Sequence, residues 1–192
     1  MKILNAYPIH KIDHLTQPHH LTNINLESAA SEVFLDFHHA PPSMIDADTQ
    51  AIGAQEMMRH EHCAIKMVID RDEDLIGIIT QEALSPQAIT QHQNKFTPKG
   101  DITVADLMSP RDQLIALDFQ QLLSSTVGDI LNTLKLSGLS HCLVVDNQQH
   151  EIRGLVDAAD IAERLHIPAP QTSSKPSFLS IFKYLGGKRL AQ

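Results

Sequence analysis

The chain has 192 residues, of which 42% are apolar, and its formal net charge is −8. Residues 169–192 hold four basic side chains and no acid, which leaves 11 basic and 23 acidic side chains in the first 168 residues. This acidic body argues against nucleic acid as a partner, because phosphate binding needs clustered Lys and Arg. No apolar run approaches the ~20 residues of a membrane span, and the two cysteines fit a reduced, cytoplasmic setting.

The first half of the chain becomes regular only after a polar, His-rich stretch, residues 1–29, which predicts a loosely ordered arm. The segment "SAASEVFLDF" (28–37) indicates a short helix or strand. The β-rich runs on either side of the acidic turn "DRDED" predict a hairpin. For residues 30–90 the pattern predicts a strand at 43–46, a helix at about 49–60 capped by Asp48 or Thr49, a hairpin at 63–80 and a helix within 81–89.

The second half follows a polar linker, residues 91–100, that contains Pro98 and Gly100. Thr103 and Asp106 have capping-box spacing, and a second T-x-x-D cap opens the run "TVGDILNTLKLSG". Apolar residues at i, i+3, i+4 and i+7 in this run predict a helix. For residues 101–167 the pattern predicts a capped segment at 103–108, a strand at 114–118, a helix at 126–138, strands at 141–146 and 152–157, and a final helix ended by Pro168 and Pro170.

The two halves repeat one order of elements, β-α-β-β-α. Asp70 aligns with Asp146 and Gly77 with Gly154, with one extra residue in the second turn. Each unit alone is a small sheet with helices on one face, so its other apolar face needs a partner. We therefore predict an α/β (α+β) fold in which the two repeats pack against each other and leave a shared cleft.

The order of these motifs resembles the tandem CBS-domain family, of the standalone bacterial type. The resemblance is carried by "MVIDRDEDLIGIITQEAL", "TVADLMSP" and "LVVDNQQHEIRGLVDAAD", and it covers about residues 30–166. It implies a cleft between the repeats, a disc-like homodimer, and binding of adenine nucleotides to regulate another protein. No effector domain accompanies the repeats, so the resemblance implies an output on a separate protein.

The family's ligand signature is incomplete in both repeats. It implies a hydroxyl that contacts phosphate and an Asp three residues later that accepts hydrogen bonds from ribose. The first repeat has Thr80 followed by Ala83, and the second has Asp157 followed by Asp160. The resemblance also implies that Met67 and Leu143 line the base pocket, together with the neighbouring Ile65 and His141.

The negative charge of Asp157 limits which ligands the second repeat can bind. A carboxylate about 4 Å from a phosphate costs on the order of 4 kcal/mol per charge pair at an effective dielectric near 20. Cationic compensation is thin, since only Arg153 and Arg164 lie nearby in sequence. An adenosine-like ligand with few phosphates is therefore favoured over a triphosphate at this site.

Each candidate residue also has a simpler interpretation. Asp160 and Thr80 can act only as helix caps, and Met67 and Leu143 can be core residues. The histidines of "HEHC" (60–63), His19–His20 and His38–His39 invite a metal site, but they lack a second ligand pair at zinc spacing. No nucleophile elbow or phosphate-binding glycine loop is present.

The tail, residues 168–192, contains a predicted short amphipathic helix. Phe178, Ile181, Phe182 and Leu185 form a stripe, and the Gly186–Gly187 pair predicts its end. A helix this short needs packing to be stable. We expect it to dock on its own body or on a sister subunit; a partner's groove and a membrane surface are the alternatives.

The sequence predicts a cytoplasmic, non-enzymatic homodimer without cofactor or structural metal. Its expected function is a standalone regulatory module that binds AMP, ADP, ATP, adenosine or S-adenosylmethionine and signals to a separate partner protein. A protein-interaction scaffold with a degenerate cleft is the alternative, since neither signature is complete. A metal-linked enzyme using the His and Cys positions is a third hypothesis.

Overall fold

The computed structural model describes residues 23–93, 101–168 and 176–189, and the side chains of 187–189 are excepted. Most of the predicted N-terminal arm and most of the predicted linker therefore lie outside the described residues, as do His19–His20. Within the described part of the chain, no helix has the length and apolar character needed to cross a membrane.

The described residues form two sheets of four strands each. The first sheet has the order β2-β3-β4-β5 and the second the order β1-β8-β7-β6. In chain order the strands are β1 (Phe34–Asp36), β2 (Met44–Asp46), β3 (Ile65–Ile69), β4 (Leu75–Thr80), β5 (Ser109–Pro110), β6 (Ala116–Asp118), β7 (His141–Asp146) and β8 (Glu151–Asp157).

Helices connect the strands and cover the outer face of each sheet. The α-helices are α1 (Ala51–His60), α2 (Pro86–His92), α3 (Val104–Leu107), α4 (Phe119–Leu123), α5 (Val127–Leu134), α6 (Ala158–Arg164) and α7 (Phe178–Arg189). Short 3-10 helices at Ala30–Val33 and Arg111–Gln113 precede β1 and β6. The predicted α/β fold with two β-α-β-β-α repeats is confirmed, and 28–37 contains both a helical turn and a strand.

Each sheet borrows one short strand from the other half of the chain. β1 pairs antiparallel with β8, and β5 pairs antiparallel with β4. The exchange is symmetric, because Asp36 lies opposite Gly154 and Pro110 lies opposite Gly77. The two halves are therefore tied together by backbone hydrogen bonds as well as by apolar contacts.

The aligned glycines make this exchange possible. A Cβ at Gly154 would collide with the Leu35 carbonyl oxygen and the Phe34 ring. A Cβ at Gly77 would lie 2.7 Å from the Ser109 carbonyl oxygen, which is also too close. Glycine is required at these positions because the backbone of the exchanged strand comes so near.

The core has three layers of apolar packing. One cluster lies between the first sheet and its helices and includes Ile45, Met58, Val68 and Ile79. A second lies between the second sheet and its helices and includes Leu131, Val144, Val156 and Ile161. Met67, Ile78, Leu143 and Leu155 form a third cluster with residues from both sheets. The halves thus bury each other's inner faces, as the sequence predicts.

The predicted caps are correct in the second half and wrong at α1. Thr126 and Asp129 form a capping box at α5, in which the Thr126 amide donates to Asp129 Oδ2 at 2.9 Å. α3 has the same arrangement. α1 instead starts after Gln50, whose side chain makes no capping hydrogen bond. Asp48 and Thr49 precede this N-cap residue, and the Asp48 carboxylate pairs with Arg71 at 3.2 Å.

Helix α7 docks on the body of its own chain, against the helices of the second half. Phe178 and Ile181 are 0% and 1% exposed within the second cluster, and the Phe178 amide donates to the Leu139 carbonyl. The predicted stop at Gly186–Gly187 is wrong, since the helix continues to Arg189. Glycine lowers helix stability by only about 1 kcal/mol per residue, which does not force a helix to end.

Candidate functional site

An open cleft of about 790 Å³ lies between the two halves. Its walls are the exchanged segment around β1, the start of β3, helix α4, strand β8 and the first turns of α6. Its lining residues are Ser31, Glu32, Val33, Phe34, Leu35, Asp36, His39, Ala40, Cys63, Ala64, Ile65, Phe119, Leu123, Arg153, Leu155, Asp157, Asp160 and Arg164. The cleft combines an apolar, aromatic wall with an ionic one.

Three of the residues predicted from the sequence lie together in the open cleft. They are Ile65, Asp157 and Asp160. Asp157 caps α6, and its Oδ1 accepts a hydrogen bond from the Ala159 amide at 2.9 Å. Asp160, one turn further, has a side chain that is 40% exposed. A ligand in the cleft can therefore reach the Asp160 carboxylate.

The ionic wall is organised by a two-pronged pair between Arg153 and Asp36. Arg153 Nε and Nη2 each donate to an Asp36 oxygen at 2.8 Å, and both side chains are largely buried. The hydrogen bond from Arg153 holds the pKa of Asp36 well below its usual range. The guanidinium carbon of Arg153 also lies 4.6 Å from the ring centroid of Phe119. This pair fixes the exchanged strand to β8 at the edge of the cleft.

Arg164 is the second arginine of the open cleft and is almost fully buried. Its Nη1 donates to the Glu32 carbonyl oxygen and lies 3.4 Å from Asp160 Oδ2. The side chain therefore links α6 to the 3-10 helix that precedes β1. Both arginines of the cleft thus contact carboxylates of the same chain.

Met67 and Leu143 lie elsewhere, in the cluster between the two sheets. Each is 5% exposed and packs with Ile78 and Leu155. Neither lines the open cleft, although Leu155 on the opposite side of this cluster does. In this structure the two residues pack between the sheets, and their predicted role in a base pocket stays a prediction.

A small closed cavity of about 140 Å³ occupies the position equivalent to the open cleft on the other side of the pseudo-symmetric pair. His141 and Leu143 line it with mostly apolar neighbours: Ile78, Ser109, Gln113, Leu114, Ile115, Leu139 and Cys142. Thr80 is not among its lining residues. Thr80 Oγ1 instead accepts a hydrogen bond from the Ala83 amide at 3.2 Å, and α2 begins six residues later.

Side-chain size explains why one cleft is open and its equivalent is closed. In the repeat alignment Leu139 is equivalent to Cys63, and His141 is equivalent to Ile65. Together with Leu114 and Ile115, these larger side chains line the closed cavity. The open cleft has Ala40, Cys63 and Ala64 along the corresponding wall. Helix α4, which follows β6 directly, has no counterpart in the first half and adds Phe119 and Leu123 to the open cleft.

Sequence reasoning missed α4 and the contribution of the exchanged strand. The sequence contains a signal for α4, because Asp118 is a good N-cap residue directly before "FQQLL". In the structure its side chain accepts a hydrogen bond from the Gln121 amide at 2.9 Å. Phe119 and Leu122 then have i, i+3 spacing. Asp36, in contrast, reaches the cleft only through pairing with a strand more than a hundred residues away. No local pattern predicts such a contact.

Neither thiol forms a disulfide, and Cys63 and Cys142 are both free. Burial raises the pKa of Cys142 to about 12, so this thiol stays protonated at neutral pH. Among the described residues, no group of three or more His, Cys, Asp or Glu side chains is arranged to hold a metal ion.

No family model matches the chain, and no curated protein matches it. The similarities come from solved structures.

Three solved structures illustrate these similarities, each over most of this chain. An uncharacterized conserved protein from Pyrococcus horikoshii has a TM-score of 0.55 at 17% identity, covering 78% of this chain and all of that one. A conserved CBS domain protein from Thermoplasma acidophilum has a TM-score of 0.52 at 17% identity, covering 81% and 77%. The structure of CBSX2 in complex with AMP has a TM-score of 0.51 at 16% identity, covering 71% and 94%.

At these identities the similarity concerns the fold. The neighbours include several CBS-domain proteins. In this chain, the same architecture appears as duplicated hairpins, mutual burial of two sheets and a cleft between the halves. The chain has the fold of a tandem CBS-domain protein.

Proposed function

We propose that this protein is a standalone regulatory module that binds an adenosine-containing ligand in the open cleft and signals to a separate partner protein. The observation that carries the proposal is a cleft of about 790 Å³ between the halves that is lined by apolar side chains and by the partly exposed carboxylate of Asp160. Small-molecule sites typically have volumes of about 300–1,000 Å³. CBSX2, which shares the fold, has been solved with AMP.

The two walls suit the two parts of a nucleoside. Leu35 and Leu123 are 49% and 52% exposed and offer an apolar surface for a base, in front of the more buried Phe34 and Phe119 rings. Asp160, with its partly exposed carboxylate, can accept hydrogen bonds from ribose hydroxyls. The ligand would bridge segments from both halves, so its binding energy would favour one arrangement of the halves over another.

Helix α6 would transmit the effect of ligand binding from the cleft to α7. This helix begins at the cleft residues Asp157 and Asp160, and α7 packs on α5 and α6. A shift of α6 on ligand binding would therefore move the surface formed by α7. We propose that this surface reports ligand occupancy to the partner protein.

We further propose that the module is cytoplasmic, non-enzymatic and homodimeric. The free thiols agree with a reduced compartment. Ile52 and Met57, each 42% exposed on α1, provide apolar surface for a second copy. Mass measurement in solution tests the dimer, and it does not depend on the ligand.

A thermal-shift screen with AMP, ADP, ATP, adenosine and S-adenosylmethionine tests ligand binding. A ligand at about 100 times its Kd adds about 2.7 kcal/mol to the free energy of unfolding. Asp160→Ala should abolish the shift, whereas the matched variant Thr80→Ala, outside the open cleft, should retain it. No stabilisation by any compound at millimolar concentration would overturn the sensor function.

A scaffold without ligand is the second candidate, and one observation favours it. Asp160 already lies 3.4 Å from Arg164, and Asp157 already caps α6. The carboxylates at both signature positions of the second repeat therefore have structural roles in the absence of ligand. In that case the screen gives no shift, and Asp160→Ala changes only the stability of the protein.

A further inference from the structure

A further pocket, of about 330 Å³, is lined by residues of both sheets and lies beside the turn that joins β7 to β8. We call it the hairpin pocket, and its apolar lining includes Leu75, Leu114, Leu143, Val145 and Ile152. All of these except Val145 belong to, or pack against, the cluster between the two sheets. Small-molecule sites typically have volumes of about 300–1,000 Å³, so the hairpin pocket has room for a small apolar body.

The hairpin pocket is separate from the open cleft, because the two share no lining residue. It has three apolar residues in common with the closed cavity but extends in the other direction along β7, toward Val145 and the turn. No residue of the predicted ligand signature lines it. Binding in this pocket would therefore not depend on a nucleoside in the open cleft.

Arg111 supplies a positive charge to the hairpin pocket. It follows β5 directly and starts the 3-10 helix, so the pairing of β5 with β4 fixes its backbone. Its Nη1 donates to the Leu75 carbonyl oxygen at 3.3 Å, and among the described residues its side chain makes no ion pair. Arg153 and Arg164 of the open cleft, in contrast, contact carboxylates of the chain. The guanidinium group of Arg111 thus keeps donors in the fork geometry that fits a carboxylate.

The first half shows that the fold does not need an arginine at this position. The exchanged strands β1 and β5 are equivalent, since each ends opposite one of the aligned glycines, Gly154 and Gly77. The residue that follows β1 is Phe37, and the residue that follows β5 is Arg111. Phe37 packs against the cluster between the sheets, whereas Arg111 is exposed and lines a pocket. The second half therefore has a charged group where the first half has an apolar ring.

The hairpin pocket also contains one carboxylate, that of Glu151, next to His150. Glu151 Oε2 lies 3.6 Å from Nε2 of His38, which is not a lining residue of the pocket. A cationic ligand would have to use this carboxylate in competition with His38. An anionic ligand can use Arg111 without displacing a carboxylate of the chain, so the contacts favour an anion.

We propose that the hairpin pocket is a second ligand site, which binds a small monocarboxylic acid with an apolar body. The carboxylate accepts hydrogen bonds from Arg111, and the hydrocarbon part packs on the apolar lining. Because Leu75 belongs to the first half and Ile152 to the second, an occupied pocket would favour one arrangement of the halves over another. The chain would thus respond to a carboxylic acid independently of the ligand in the open cleft.

Calorimetric titration at low salt with hexanoate, hexanamide and hexylamine tests the preference for an anion at constant chain length. We expect hexanoate to bind saturably at one site per chain and hexanamide to bind about fivefold more weakly, since solvent limits the contribution of an exposed arginine. Hexylamine should bind more weakly than hexanamide. The proposal is overturned if hexanoate does not bind at millimolar concentration, if hexanoate and hexanamide bind equally, or if hexylamine binds most tightly.

Substitution of Arg111 tests its role in this preference. Arg111→Gln should lower the affinity for hexanoate about fivefold and change that for hexanamide by less than about twofold. The matched control is Arg71→Gln, at an exposed arginine that pairs with Asp48 and does not line the pocket. It should leave both affinities unchanged. An unchanged affinity for hexanoate in Arg111→Gln, or an equal loss in the control, would contradict the role of Arg111.

Two further measurements locate the ligand. Arg111→Phe introduces the residue of the first half and should weaken both hexanoate and hexanamide by filling the pocket; undiminished binding would contradict the site. In methyl NMR spectra, hexanoate should shift the signals of Val145 and Ile152 and leave that of Leu123, in the open cleft, unchanged. Shifts confined to Leu123 would overturn the proposal, whereas a failure of adenosine to bind would concern only the proposed function.

Discussion

The open cleft and the closed cavity occupy equivalent places in a duplicated fold, yet they differ in volume and in lining. The open cleft measures about 790 Å³ and contains six ionisable carboxylates and guanidinium groups, whereas the closed cavity measures about 140 Å³ and is mostly apolar. The duplication gives two equivalent positions between the sheets, and a few side chains determine how large the space at each position is. Leu139 in place of Cys63, and the extra helix α4, account for much of the difference.

The halves also differ in how their helices are covered. α7 packs on α5 and α6 of the second half, and within the described residues no helix covers α1 in the same way. The second half therefore has a larger apolar cluster, to which Phe178 and Ile181 belong. The half that supplies both arginines of the open cleft is the half on which α7 packs.

The largest effect on stability is expected from removing that brace. Phe178→Ala should lower the free energy of unfolding by about 3–5 kcal/mol, since the buried ring leaves a cavity. Phe182→Ala, at a ring that is 38% exposed and stacks with Lys135, should cost about 1 kcal/mol or less. Urea denaturation measures both. Equal, small losses would mean that α7 does not brace the second half.

A smaller loss of stability is expected when a side chain is added to the glycines that lie against the exchanged strands. Gly154→Ala should lower the free energy of unfolding by about 3 kcal/mol, because the added Cβ meets the Leu35 carbonyl and the Phe34 ring. Gly77→Ala should cost less, because part of its contact is with the flexible Met108 side chain. Thermal denaturation of the two variants checks this order; a harmless Gly154→Ala would contradict the close approach of β1.

The third effect concerns the ionic wall and depends on pH. Asp36→Asn should lower the free energy of unfolding by about 2 kcal/mol at pH 7, because it replaces a charge-assisted pair with Arg153. The pKa of Asp36 is lowered in the folded protein, so its stabilisation is present above the unfolded pKa near 3.8 and declines as pH falls below it.

The difference between wild type and Asp36→Asn should therefore shrink between about pH 4 and pH 2. Urea denaturation at pH 7 and pH 3 measures this change. Asp46→Asn, at an exposed aspartate of β2, is the control and should show little difference at either pH. A constant gap for Asp36→Asn would show that its carboxylate is not held by Arg153.

The sequence allowed the repeated elements to be predicted because their signals are local. The β-rich runs of the hairpins, the T-x-x-D caps and the apolar stripe of α5 depend on neighbouring residues, and the structure contains all of them. Gly77 and Gly154 could be aligned, but their physical role could not be seen. That role depends on strands from the opposite half, which meet them only in the folded chain.

The candidate site was predictable only in part for the same reason. Asp157 and Asp160 follow a strand and start a helix, so their place at the cleft follows from local order. Phe119 and Asp36 reach the cleft through α4 and the exchanged strand, which depend on long-range pairing. Met67 and Leu143 have the same chemistry as cleft residues, and only the packing of the sheets places them in the cluster between the two halves.

Isothermal titration of the wild-type protein with adenosine tests most directly whether one cleft of the two works. The open cleft predicts saturable binding with one site per chain, and Asp160→Ala should remove it. Two sites per chain would show that a second pocket also binds the nucleoside, and no binding at millimolar concentration would show that the open cleft is not a nucleoside site. Either result would contradict the asymmetry on which the proposed function depends.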